Sequence, residues 1–230
     1  MQKKIVVHMY LKNGKAVTGF DGKELLEDGD VMSIAQHYSN NGADELLIFD
    51  LSDDDADHEQ SLNLIRQISR VIDIPMSGGG HIKNLEDVKK LLYAGCQQVF
   101  LNYAKAVNIE LTEEVSKRFG KEKIAICTDS FAQLQANKAR VNEYTSRVIL
   151  LCDEVDVRTT ARLVEVPVLP VSTRADRHGL LKLLMLDNIC GVCGDTFSDL
   201  NEDLMAAKLE AKKHGVEINT FESKMSWNEL

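Results

Sequence analysis

The sequence predicts one α/β domain folded as a (βα)8 barrel, with residues 1–220 forming the barrel and residues 221–230 a tail or the lead into a following domain. Three observations carry this. Apolar β-type runs alternate with helical patterns from end to end, the strand-then-helix units number eight, and 230 residues suit a barrel that takes about 200 to 250. An open doubly wound sheet has fewer such units and carries its glycine fingerprint after the first strand. Here the glycine run follows the third.

The first strand is Lys4 to Leu11, followed by a loop with Gly14, Gly19 and Gly22. Asp30 then caps a helix through Ile34, Ala35 and Tyr38, which Asn40-Asn41-Gly42 stops. The second strand is Glu45 to Asp50, and a helix over about Gln60 to Val71 places Leu62, Leu64, Ile65 and Ile68 at helical spacing. The third strand, Ile74 to Ser77, ends in Gly78-Gly79-Gly80. Asn84 caps the next helix, which holds Val88, Leu91 and Leu92 and stops at Gly95. Strand four is Gln98 to Asn102, with Thr112 as the cap of a helix ending at Gly120. Strand five is Lys123 to Thr128, and residues 131–146 are too polar to assign. Strand six is Arg147 to Cys152 with a helix from Val157 to Val164. Strand seven is Pro167 to Val171 with a helix from Leu180 to Leu186. Strand eight is Ile189 to Cys193, and the last helix runs from about Asn201 to His214.

The formal net charge of −9 opposes nucleic-acid phosphates, and no apolar run reaches the roughly 20 residues that span a bilayer. The start is too short for a signal peptide and runs straight into a strand. The expectation is a cytoplasmic protein with neither nucleic acid nor membrane as partner. The cysteines number five. An odd count beside apolar runs reads as small buried hydrophobes rather than a disulfide framework. Cys190-Gly191-Val192-Cys193 has metal or redox spacing, yet in a strand that separation sends the side chains to opposite faces, and no second cysteine pair completes a zinc site. No metal and no cofactor are expected.

The two halves repeat. Ile74-Pro75 aligns with Val166-Pro167 at the same spacing that aligns Lys90-Leu91-Leu92 with Lys182-Leu183-Leu184, and Lys4-Ile5 aligns with Lys123-Ile124. The order is that of two related half-barrels. It lays Gly78-Gly79-Gly80 on Pro170-Val171-Ser172, and Tyr10 on Asp129.

Three stretches carry a resemblance: Leu11-Lys12-Asn13-Gly14-Lys15-Ala16-Val17-Thr18-Gly19, then Gly42-Ala43-Asp44-Glu45-Leu46-Leu47-Ile48-Phe49-Asp50, then Ile74 to Asn84 with Gly95 and Asn102. The chain resembles the histidine-biosynthesis barrels, namely the phosphoribosylformimino-aminoimidazole carboxamide ribotide isomerase and the cyclase subunit of imidazole glycerol phosphate synthase. The resemblance is clear over residues 4 to about 110 and faint from 123 to 219. It implies a substrate with a phosphate at each end, one held after strands three and four and the other after strands seven and eight. It also implies aspartates at the ends of strands one and five as general base and acid.

Each site residue carries two readings. Gly78, Gly79 and Gly80 let backbone N–H groups approach an anion, with Asn102 adding a side-chain donor; the alternative is a flexible turn. His81, where a third family glycine aligns, either adds a cation or narrows the site. Asp129 is the strand-five acid or a turn aspartate. Tyr10 takes the place of the strand-one aspartate, and a phenol is a poor base at neutral pH. His8, on the same strand face, is a substitute base or a core histidine. Asp129, Tyr10 and His8 are thus the candidate catalytic set. Asp50 is retained for substrate positioning or for internal hydrogen bonding, and Thr18 replaces a lysine of the cyclase pattern.

Pro170-Val171-Ser172 replaces the serine-glycine-glycine of the second phosphate site; proline lacks an N–H and valine blocks close approach. Ser172, Thr173 and Arg174 form a different anion site or a surface loop. The loop after strand six, Cys152-Asp153-Glu154, is short. Together these losses favour a catalytically degenerate histidine-biosynthesis barrel that binds at most one phosphate of a phosphoribosyl ligand. The alternative is an active phosphosugar isomerase or cyclase with altered catalytic residues. Residues 221–230 are similar to the lead into the phosphoribosyl-AMP cyclohydrolase domain of fused proteins. The expected partners are therefore a phosphorylated small molecule and, by fusion or association, another histidine-pathway enzyme.

Overall fold

The computed structural model describes residues 1–26, 30–153 and 155–220; the tail over 221–230 lies outside them. β1 (Lys4–Lys12) leads into a hairpin of β2 (Lys15–Thr18) and β3 (Glu24–Leu25), then α1 (Val31–Asn40). Next come β4 (Glu45–Asp50), α2 (Asp55–Ile68), β5 (Met76–Gly79), α3 (Leu85–Ala94), β6 (Gln98–Asn102) and α4 (Ala106–Phe119). The second half holds β7 (Ile124–Thr128), α5 (Phe131–Ala136), α6 (Lys138–Tyr144), β8 (Arg147–Leu151) and α7 (Val157–Leu163). It ends with β9 (Val168–Ser172), α8 (Arg177–Leu183), β10 (Gly191–Gly194), α9 (Asp195–Ser198) and α10 (Leu204–Lys213).

The ring is β1-β4-β5-β6-β7-β8-β9-β10, every neighbouring pair parallel, and β10 returns to β1 with Lys4 opposite Gly191 and Val6 opposite Cys193. The expected barrel is present. Its strands are buried on both faces, which is why they read as nearly continuous apolar runs. Ile5, Val7, Met9 and Leu11 of β1 join the layer between strands and helices, while Val6 and Tyr10 join the interior cluster with Leu47, Phe49, Phe100 and Ile149.

Local chemistry sets the helix ends. Asn84 accepts from the N–H groups of Glu86 and Asp87 in a capping box, and Gly95 ends that helix at φ 116°, a conformation that glycine adopts without a Cβ penalty. Asp54 caps α2 through the Asp57 N–H, so that helix begins earlier than the apolar spacing implied. Thr112 is not a cap. It lies inside α4, where its hydroxyl donates to the Asn108 carbonyl at 2.9 Å and meets the Tyr103 hydroxyl at 2.9 Å. The polar stretch from 131 to 146 forms two short helices, the first capped by Ser130. The glycine-containing loop after β1 contains the β2–β3 hairpin. Among the described residues no helix is long and apolar enough to cross a membrane.

The N-terminal end of the barrel is sealed by charge. Glu45 of β4 and Arg147 of β8 reach across the interior and pair through the two terminal guanidinium nitrogens, and the Ser77 hydroxyl donates to Glu45 at 2.7 Å. Burial alone would push the Glu45 carboxyl up, but the guanidinium beside it, with Lys4 and the Ser77 hydroxyl, brings it down to about 2. The cysteines are free thiols. β10 begins only at Gly191, and Cys190 and Cys193 both pack against the interior cluster. The opposite-face expectation for this pair therefore does not hold.

Candidate functional site

The C-terminal rim is where a barrel of this kind places its chemistry, and each expected residue can be located on it. Gly78 and Gly79 belong to β5, and only Gly80, at φ 116°, turns the chain away. Each glycine is demanded by its neighbours. A Cβ on Gly79 would overlap the Phe100 ring, one on Gly80 the Asp50 carbonyl, and one on Gly78 would lie 2.7 Å from the Cys96 sulfur. The run is therefore a close-packed strand end rather than a flexible turn. Beyond it, the N–H groups of His81 and Ile82 donate to no group among the described residues. Asn102 turns its side-chain oxygen to the Ala104 N–H at 2.9 Å. Among the described residues its amide NH2 has no acceptor.

His81 does not face this cradle. At φ 52°, its ring lies on that of His58, with centroids 4.9 Å apart. Its Nδ1 is 3.1 Å from the Ser52 carbonyl and its Nε2 2.7 Å from the Asp55 carboxylate. Asp55 is thereby held at about 2, first by the His81 hydrogen bond and then by Lys83. Asp50 is consumed internally. Its buried carboxylate accepts from the Ser52 N–H at 3.1 Å, from the Ser52 hydroxyl and from His58 Nδ1 at 2.5 Å. The structure thus brings Asp50, His58 and His81 into one network that fixes the turn after the glycine run.

Tyr10 occupies the mouth. Its ring packs against Phe20 at 4.7 Å and Phe49 at 5.4 Å, and Phe49 meets Phe100 at 5.1 Å. The Tyr10 hydroxyl is buried without a partner. Burial, with Asp195 nearby, pushes its proton affinity far above the ordinary phenol range, so it stays neutral at any physiological pH. His8 is not a free base either. Nε2 lies 3.0 Å from the Asp195 carboxylate, and Nδ1 lies 3.1 Å from the Ser198 hydroxyl beside the Cys193 sulfur at 3.4 Å. Both ring nitrogens are therefore engaged within the protein. Between β1, the hairpin and α9 lies a cavity of about 290 Å³ lined by His8, Tyr10, Thr18, Tyr38, Asp195 and Asn201.

Asp129 stands exposed just past β7, and the capping role falls to Ser130, which accepts from the Gln133 N–H at 3.2 Å. The rim after β9 is neither a glycine cradle nor a plain loop. The Ser172 and Thr173 hydroxyls and the Thr173 N–H all donate to Asp153, which follows β8. Burial would raise the Asp153 carboxyl, and these hydrogen bonds lower it below the usual carboxylate range. Asp153, Asp195, His58 and Phe20 carry no local sequence signal, because their roles exist only through the partners that the fold brings to them.

A closed parallel barrel with polar groups of several strands gathered at its C-terminal rim defines a (βα)8 barrel. The chain belongs to the family described as histidine biosynthesis proteins, whose profile matches residues 4–187. It is 33% identical over 130 residues to the imidazole glycerol phosphate synthase subunit HisF of Flavobacterium psychrophilum, covering 56% of this chain and 52% of that protein. It is 32% identical over 144 residues to the protein of the same name from Wolinella succinogenes, covering 63% and 56%. Against that from Staphylococcus aureus strain Newman, the figures are 34% over 131 residues, 57% and 52%. The chain spans about half the length of these curated relatives.

Proposed function

We propose that this barrel is a catalytically degenerate member of its family. It binds a phosphorylated small molecule through one phosphoryl group, at the turn after β5 and the Asn102 amide. The observation that carries this reading is Tyr10. Where the resemblance calls for a carboxylate base, the chain has a buried, unpartnered phenol locked among aromatic rings, and the neighbouring His8 has both ring nitrogens engaged. Proton abstraction needs an ionisable acceptor within hydrogen-bond reach of the substrate, and neither group provides one. The unused N–H groups of His81 and Ile82 and the amide of Asn102 support anion binding on that side. A barrel that binds without a base works beside another enzyme of the pathway, joined to it or associated with it.

The test is twofold. Strains lacking the aminoimidazole carboxamide ribotide isomerase or the imidazole glycerol phosphate synthase cyclase should not be rescued by this gene, and the purified protein should turn over neither substrate. Turnover of either, abolished by Asp129→Asn, establishes the active enzyme instead. Inorganic phosphate titrated into 15N-labelled protein should move the His81, Ile82 and Asn102 signals.

A further inference from the structure

We propose that Asp153 is a built-in anion that occupies the β9 rim, making the mouth select ligands with one phosphoryl end over ligands with two. This rests on the reading above for the β5 side, but the geometry that carries it lies elsewhere on the rim. The strand order places β9 as far from β5 around the ring as the ring allows.

Ser172, the last residue of β9, and Thr173 just after it present their donors to one point. Thr173 N–H lies 3.1 Å from each Asp153 carboxylate oxygen, Thr173 Oγ1 donates to one of them at 2.5 Å, and Ser172 Oγ donates to the other at 2.5 Å. Ser172 Oγ is itself fixed by the N–H groups of Ala175 at 2.9 Å and Arg174 at 3.3 Å. Backbone N–H and hydroxyl groups converging in this way form an oxyanion cradle, and carboxylate and phosphoryl oxygens accept from such donors alike. The occupant comes from the preceding strand unit, so it is present at a fixed, high effective concentration. A ligand phosphoryl arriving there meets donors already engaged and a like charge beside them. Pro170 and Val171 deny it a second approach through the strand end, since both are buried in β9 and Pro170 has no N–H to offer. On the β5 side the Asp87 carboxylate takes the N–H groups of Lys83 and Asn84, but among the described residues no carboxylate accepts from those of His81 and Ile82. Asp50 and Asp55, the carboxylates nearest the turn, are tied to His58, Ser52, His81 and Lys83.

The experiment compares wild type with Asp153→Ala and Asp153→Asn, using inorganic phosphate, ribose 5-phosphate and ribulose 1,5-bisphosphate as probes. Binding is read by 15N–1H shifts and calorimetry, and folding by circular dichroism. In wild type, no probe should move the Thr173, Arg174 or Ala175 signals, and the bisphosphate should bind no tighter than the monophosphate. In Asp153→Ala, inorganic phosphate should move those three signals, and the bisphosphate should gain roughly 10-fold or more over the monophosphate, as expected when a like-charge clash is removed. Asp153→Asn keeps the shape and one acceptor oxygen without the charge, so it should show a smaller gain of the same sign and serves if the alanine variant does not fold. Wild-type phosphate shifts at Thr173 overturn the proposal, as does a folded variant whose Thr173 region ignores phosphate. Failure of the His81 and Asn102 signals to respond sinks the one-phosphate reading instead, because the two sets of signals are separate.

Discussion

At its N-terminal end the barrel is sealed by ions, and at its C-terminal mouth by rings. Glu45, Arg147 and Ser77 meet across the bottom with their charges paired and buried, whereas Tyr10, Phe20, Phe49 and Phe100 pack edge to face or tilted across the top. The difference teaches where the fold tolerates an unmet polar group. The bottom pairs both oxygens of its carboxylate and leaves only the Arg147 Nε–H unmet, because an unpaired buried charge is the costlier defect. The top leaves a neutral hydroxyl without a partner, at a cost of only about 1–3 kcal/mol.

Breaking the ionic seal should give the largest effect. Arg147→Met leaves the buried Glu45 carboxylate with only Lys4 and the Ser77 hydroxyl and should cost about 3 kcal/mol in urea unfolding. Adding Glu45→Leu should restore most of that loss, and a double variant no better than the single would show that packing, not charge, holds this end. Next comes the aromatic seal. Phe100→Ala vacates the space that Gly79 leaves for the ring and should cost about 3 kcal/mol, with little dependence on pH. The ionic end, by contrast, should respond to acid. The Glu45 carboxyl is depressed from 4.5 to about 2, so its stabilisation is complete above pH 4.5 and drains away as pH falls through about 2. Glu45→Leu/Arg147→Met should therefore flatten the stability profile over that window relative to wild type. The smallest effect belongs to Tyr10→Phe, which deletes the unpartnered hydroxyl and should leave stability unchanged or raised by up to about 1 kcal/mol. A loss above that figure would mean the hydroxyl has a partner in solution.

The sequence shows the ring readily, because strands buried on both faces advertise themselves as apolar runs and β-to-α alternation leaves few topologies. It shows Asn84 and Gly95 as a helix's ends because capping is local. Thr112 misleads for the opposite reason: a threonine inside a helix and one at its start look alike until its partner, Asn108, is known. The glycine run was legible as an unusual feature but not as a packing device, since the need for glycine at position 79 comes from the ring of Phe100. In the sequence Asp153 is only part of a short loop. Its donors lie about twenty residues further on, across a strand crossing that no local pattern reports. The Glu45–Arg147 pair, separated by 102 positions, is invisible for the same reason.

The seam between β1 and β10 has a consequence for how the molecule is made. The end of β1 is paired at once by β2, but its start, Lys4 to Val6, finds its partner on that edge only when Gly191 to Cys193 have been synthesised, which at bacterial to eukaryotic elongation rates is on the order of 10 to 40 s later. Through that interval the Lys4–Val6 stretch of this edge lacks its strand partner, the feature that invites pairing with other chains. Closing so long a loop adds only a logarithmic entropic penalty, so the vulnerability is one of time rather than of energy. That stretch of edge stays open to other chains until β10 docks.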